Sequence, residues 1–147
     1  MSPKSNRAAK PAALDNGVVP PPEMVRLGAD VRDNLTTLKR RTGIVNSNVL
    51  CRWALCRSLA ESSAPTNPPS QDTAVEIAWK VFSGSAGDLY WWLLKMHCHE
   101  FSLPIDEVSL QLQLRAHIAR GASYLVGDKS MRDASSLASL LTTATAR

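Results

Sequence analysis

His97, Cys98 and His99 form the densest run of metal-binding side chains in this chain. On a helix, side chains two residues apart face nearly opposite ways, so His97 and His99 do not close on one ion. Cys51 and Cys56 splay for the same reason. No GxSxG, Walker A, HExxH, CxxC or dinucleotide fingerprint is present. A nucleophile and base assembled in space, such as Cys98 or a serine with His117, has no support from spacing. The adjacent carboxylates Asp106 and Glu107 stand at an expected helix start, where the positive end of the helix dipole favours them. Cys51, Cys56 and Cys98 read as reduced, mostly buried thiols of a cytosolic protein. These residues lead us to expect no catalytic residue, no metal site and no cofactor.

The chemistry that spacing does support is electrostatic. The formal net charge of +4 is unevenly placed: residues 1–22 carry +2, residues 23–60 carry +4, and the remainder carries −2. Lys39, Arg40 and Arg41 are consecutive and close a helical pattern in which Val31, Leu35 and Leu38 recur at helical spacing. A focused basic patch beside a slightly acidic body suits an anionic polymer, although a helix C-terminus also favours cations through its dipole. Trp79, Tyr90, Trp91 and Trp92 are dense for so few aromatics; core or subunit-interface packing suits them better than base stacking.

The elements that must position this patch follow. Thr42-Gly43 breaks the first helix, since glycine takes the left-handed conformation without a Cβ penalty. Asp30 is a plausible N-cap before it, and Asn46, Ser47 or Asn48 can start a second helix. Val49 to Leu59 is apolar on most sides, the pattern of a buried or shared helix. Upstream, Glu23 to Leu27 has the pattern of one short strand, which needs a partner strand from elsewhere. Strand, helix, helix is the order of a ribbon-helix-helix module; a plain helical hairpin fits the same pattern.

Residues 60–73 are a polar Pro/Ser loop. Ile77, Trp79 and Val81 at period two predict a short strand or extended segment over 76–82. A helix follows through Trp91 and Met96, and Leu103-Pro104 ends it. Pro104-Ile105-Asp106 opens the next helix, which Gly121 bends or ends. The fold class is mainly α: a compact helical domain with short strands and a ribbon-helix-helix-like N-terminal part. Residues 1–22 are expected to be a disordered basic arm, 23–126 the folded domain, and 127–147 a flexible tail with one weak amphipathic turn at Leu137, Leu140 and Leu141. No run approaches the roughly 18 to 20 apolar residues that cross a bilayer, and the start lacks the apolar region of a signal peptide. A cytoplasmic protein is the expectation.

The motifs VRL at 25–27, TLKRRTGI at 37–44, NVLCRWALCRSL at 48–59, VFSG at 81–84 before DLYWWLLK at 88–95, and LRAHIARG at 114–121 make the chain resemble the DndE family. These are the small subunits of the bacterial system that replaces a non-bridging phosphate oxygen of DNA with sulfur. The chain departs from the family pattern at Ile44 to Ser47, where Thr-Pro is usual before the Asn. It departs again at Gly84-Ser85-Ala86, where Gly-Glu-Tyr is usual.

The resemblance implies a compact helical relative of ribbon-helix-helix DNA binders, assembled as a homotetramer. It implies binding of duplex and especially nicked DNA, alongside a cysteine desulfurase, an iron–sulfur ATP-pyrophosphatase-like protein and an ATPase. Arg26, Lys39, Arg40 and Arg41 are then the expected phosphate contacts, with Arg52 and Arg57 as secondary candidates. Contacts of that kind position without reading bases. Two further readings stay open: a ribbon-helix-helix transcriptional regulator with paired half-sites, and an enzyme that itself nicks DNA.

Overall fold

The computed structural model describes residues 19–145. The cations Lys4, Arg7 and Lys10 of the expected arm lie outside the described residues. Buried Val25 and Leu27 flank exposed Arg26, the alternation of a strand with one wet face, and they form β1 (Met24–Leu27). Its partner is β2 (Val75–Ala78), antiparallel, with Val25 opposite Ile77 and Arg26 opposite Glu76. The strand that needed a partner therefore finds one in the same chain. Strand, helix, helix is present as expected, but the ribbon closes within the chain rather than with a second one.

Helix α1 (Ala29–Thr42) buries Val31, Leu35, Leu38 and Thr42. Its N-cap is Gly28, not Asp30, which sits in the first turn. The Ala29 N–H instead donates to the Asp72 carboxylate at 3.0 Å, so the polar 60–73 loop caps α1 from a distance. At the other end Gly43 has φ 77° and its N–H donates to the Lys39 carbonyl at 2.9 Å, the left-handed stop expected there.

Helix α2 (Ser47–Leu59) starts after Asn46 and buries Leu50, Cys51, Ala54, Leu55 and Ser58. The period-two stretch is a strand only as far as Ala78; Trp79 begins the short helix α3 (Trp79–Ser83). Trp79 and Phe82, three apart, are the buried pair with ring centroids 5.2 Å apart, while Val81 is exposed. A 3-10 turn, Gly84–Ala86, leads into α4 (Gly87–Glu100), whose inner face holds Trp91, Leu94, His97 and Cys98.

Helix α5 (Glu107–Gly127) starts at Asp106, whose carboxylate accepts from the Ser109 N–H at 2.9 Å. It packs mainly on α2 and then on α1. Gly121 does not end it but lies against the Ala54 carbonyl. Residues after 127, expected to be a flexible tail, contain α6 (Ala134–Thr145). Met131 and Leu137 are each 1% exposed and belong to the same core as Leu38 and Leu50. Each fully buried leucine adds about 2 kcal/mol of transfer free energy, so the core extends to 137 by ordinary burial.

Candidate nucleic-acid interface

The six cations singled out in the sequence have different fates. Helix α1 turns its buried stripe toward α5, so Lys39, Arg40 and Arg41 leave the stripe at three angles about 100° apart. Arg41 falls on the α5 side, where its Nη1 donates to the Val126 carbonyl at 2.6 Å. Val126 is near the end of α5, where carbonyls lack helical partners. Arg41 is thus held as a cap of α5. Arg52 is held likewise, its Nη1 donating to the Phe82 carbonyl at 2.7 Å and fixing α3 on α2. Arg57 pairs with Glu61 one turn on and lies 5.0 Å from the centre of the Tyr124 ring. Arg26 bridges the ribbon to Glu76 at 2.8 Å, with both side chains about half exposed.

Lys39 and Arg40 remain. Arg40 is exposed and Lys39 half-buried, and neither side chain has a hydrogen bond or ion pair among the described residues. They stand in the last turn of α1, which four residues separate from the start of α2. The α2 start carries no acidic residue in its first turn and no side-chain cap, so its N–H groups and dipole add positive potential beside the two cations. Lys39 also reaches far enough toward α2 to act on the Cys51 thiol, lowering its pKa, although burial dominates and pushes that thiol up to about 12. The outward face of α1 further carries Arg32, exposed and loosely paired with Asp33 at 3.4 Å. Sequence reasoning left Arg32 out of the site, although its spacing of seven from Lys39 places both on one flank.

The structure does bring a serine to His117. The Ser58 and His117 side chains meet at 2.7 Å between Oγ and Nδ1. Arg120 donates from Nε to the same Oγ at 2.7 Å and from Nη2 to the Ser58 carbonyl at 2.7 Å. The Ser58 oxygen accepts from the guanidinium and keeps its hydroxyl proton to donate to Nδ1, while the buried His117 Nε2 has no hydrogen-bond partner among the described residues. That ring stands edge-to-face with His97, centroids 4.5 Å apart. Desolvation, then the neighbouring His97 and Arg120, hold the His117 pKa down to about 3. Ser58 and His117 are both fully buried, so no substrate carbonyl or phosphate reaches the oxygen. The cluster fastens α2 to α5. Arg120 was left out of the expected site although it stands three after His117 and within the LRAHIARG motif at 114–121.

Cys51 and Cys98 are buried and Cys56 is exposed. His97 is buried while His99 faces solvent, so the two imidazoles diverge as their spacing required. No group of three or more metal-ligating side chains converges among the described residues. No described helix is long and apolar enough to cross a membrane.

Fold and site define a small, mainly helical protein with an intrachain two-stranded ribbon and a cationic helix end. The family model described as DNA sulphur modification protein DndE matches residues 24–133, and the chain belongs to that family. The crystal structure of DndE from Escherichia coli B7A, involved in DNA phosphorothioation modification, superposes with a TM-score of 0.61 at 22% identity, covering 71% of this chain and 96% of that one. A glycine-to-lysine mutant of DndE involved in DNA phosphorothioation gives 0.59 at 20% identity, covering 73% and 99%. Those likenesses concern the fold. No curated protein sequence matches the chain.

Proposed function

We propose that this chain is a non-catalytic, DNA-binding subunit of a DNA phosphorothioation complex, working in the cytoplasm. The observation that carries the reading is the pair Lys39 and Arg40. They are cations without partners among the described residues, at the junction of α1 and α2, while Arg41, Arg52 and Arg57 are committed inside the fold. Lys39 and Arg40 bind backbone phosphates of duplex DNA, intact or nicked, with Arg26 and Arg32 at the margin. Such contacts are sequence-tolerant and fall steeply with salt.

Leu89, Trp92 and Met96 recur at helical spacing on the outer face of α4 and are 53%, 55% and 44% exposed. An apolar stripe of that kind supports contacts with further copies in a homotetramer and with the other proteins of the system: desulfurase, iron–sulfur protein and ATPase. Titration of intact and nicked duplexes of several sequences, at two salt concentrations, tests the reading. Sequence-tolerant, salt-steep binding without cleavage is expected. Tight binding to one sequence would instead identify a regulator, and metal-dependent strand cleavage an enzyme.

A further inference from the structure

Between the first half of α1, the 60–73 loop and α5 lies a cavity of about 410 Å³. That is within the size range of small-molecule sites, roughly 300–1,000 Å³. Arg120 lines it from α5, Asp30 and Asn34 from α1, and Ser63 and Asn67 from the loop, with Tyr124 at one end. Arg120 is oriented beforehand, because its Nε and Nη2 each hold Ser58 at 2.7 Å. Its Nη1 meets the Ser63 hydroxyl at 3.5 Å, which is a weak contact, and the guanidinium carbon lies 5.9 Å from the centre of the Tyr124 ring. A guanidinium so fixed keeps N–H donors for an anion at little further loss of freedom.

The opposite wall carries a carboxylate. Asp30 and Asn34 are one helical turn apart, about 6 Å between side-chain roots. One fixed cation and one carboxylate suit a ligand with a single anionic group and a hydrogen-bond-donating end. They disfavour a polyphosphate, whose extra charge the carboxylate would repel. Hydroxyl and amide groups from Ser63, Asn67 and Asn34 supply neutral partners, and the Tyr124 ring offers an apolar edge.

We propose that this cavity binds the phosphomonoester of a single nucleotide, with Arg120 on the phosphate and Asp30 toward the sugar and base. The inference goes beyond duplex binding and uses none of the same residues. Its relation to the duplex site is geometric. Asn34 and Arg40 are six residues apart on α1, about 9 Å along the helix and roughly 120° apart around it, so the cavity and the duplex site lie on different faces. The ligand is either a free nucleotide or the phosphorylated end of a strand.

The test uses the full chain and two probes. Calorimetry with dAMP examines the free nucleotide. Competition between duplexes with 5′-phosphate and 5′-hydroxyl ends, labelled at 3′, examines the strand end. Asn67→Asp places a second carboxylate in the cavity from an exposed loop position, and Arg120→Lys, checked for folding by circular dichroism, removes the fork. Saturable dAMP binding, or a preference for the 5′-phosphate end, that falls roughly tenfold or more in Asn67→Asp supports the site. The first result identifies the free nucleotide and the second the strand end. No dAMP binding together with equal affinity for both ends overturns it, as does either signal persisting unchanged in Asn67→Asp. If duplexes fail to bind at all, the duplex reading falls while the dAMP arm still decides the cavity.

Discussion

Gly121 of α5 packs directly against the backbone carbonyl of Ala54 in α2. A Cβ at position 121 would sit 1.7 Å from the Ala54 oxygen, which no side-chain adjustment relieves because the obstacle is backbone. This contact sets the closest approach of the two central helices. Gly121→Ala is expected to destabilise the chain by about 3 kcal/mol or more through forced separation. At Gly127 an added Cβ meets nothing within 4 Å, so Gly127→Ala serves as the control, with an expected change of about 0.5 kcal/mol in the stabilising direction. Urea denaturation of both variants checks the pair; equal midpoints would contradict the contact.

Buried His117 makes stability depend on pH. Its pKa is depressed in the folded state to about 3, by desolvation first, so the unfolded chain takes up a proton that the folded chain refuses. Stability from this group is complete above about pH 6.5 and is lost as pH falls from there toward 3, by roughly 2–3 kcal/mol at pH 4.5. His97, also shifted downward mainly by desolvation, acts in the same direction. The exposed carboxylates Asp72, Asp106 and Asp133 are shifted below their usual range chiefly by hydrogen bonds, and they act below about pH 4. Denaturation midpoints between pH 7 and 4.5 should therefore fall in the wild type and flatten in His117→Gln. An unchanged slope in that variant would show that the proton is taken up elsewhere.

The three thiols should react unequally. Burial pushes Cys51 to about 12 and Cys98 to about 11, and both are enclosed in the core. Cys56 is exposed although its pKa is also raised by desolvation, so it should be the one thiol modified in the native chain, slowly at neutral pH. Mass spectrometry after alkylation should show one adduct on native protein and three after denaturation. Native labelling of Cys51 or Cys98 would mean that α2 or α4 opens more readily than this packing allows.

Arg40 and Arg41 are neighbours with different roles. Removing Arg41 leaves the Val126 carbonyl without its donor and should lower stability by about 1–3 kcal/mol. Removing Arg40 should leave stability within about 0.5 kcal/mol. Thermal or urea unfolding of Arg41→Ala and Arg40→Ala separates them, and equal stability would contradict the capping role.

Much of this was legible because it rests on local chemistry. Gly43 stops α1, Asp106 starts α5 and the Val31–Leu35–Leu38 stripe faces the core, each for reasons contained within a few residues. What was not legible depends on distant backbone. Arg41 and Arg52 look like free cations in a string of letters, since their acceptors are carbonyls at 126 and 82. Period two at Ile77, Trp79 and Val81 misled because Trp79 and Phe82 are buried by helical spacing once the strand ends. Gly121 reads as a helix breaker until Ala54 is seen beside it. Small polar residues made α6 read as no more than one weak amphipathic turn at Leu137, Leu140 and Leu141, whereas its burial rests on Leu137 and the preceding Met131.

The most direct measurement of the central claim is the salt dependence of duplex binding by the wild type and by the Lys39→Ala/Arg40→Ala variant. If each side chain neutralises one phosphate, the slope of log K against log salt should shrink by about 1.8 in the variant, at about 0.9 per phosphate, for every duplex sequence tried. Arg41→Ala should leave the slope as it was. A variant with the wild-type slope and affinity would contradict the account and move the DNA contact, if there is one, away from the α1–α2 junction.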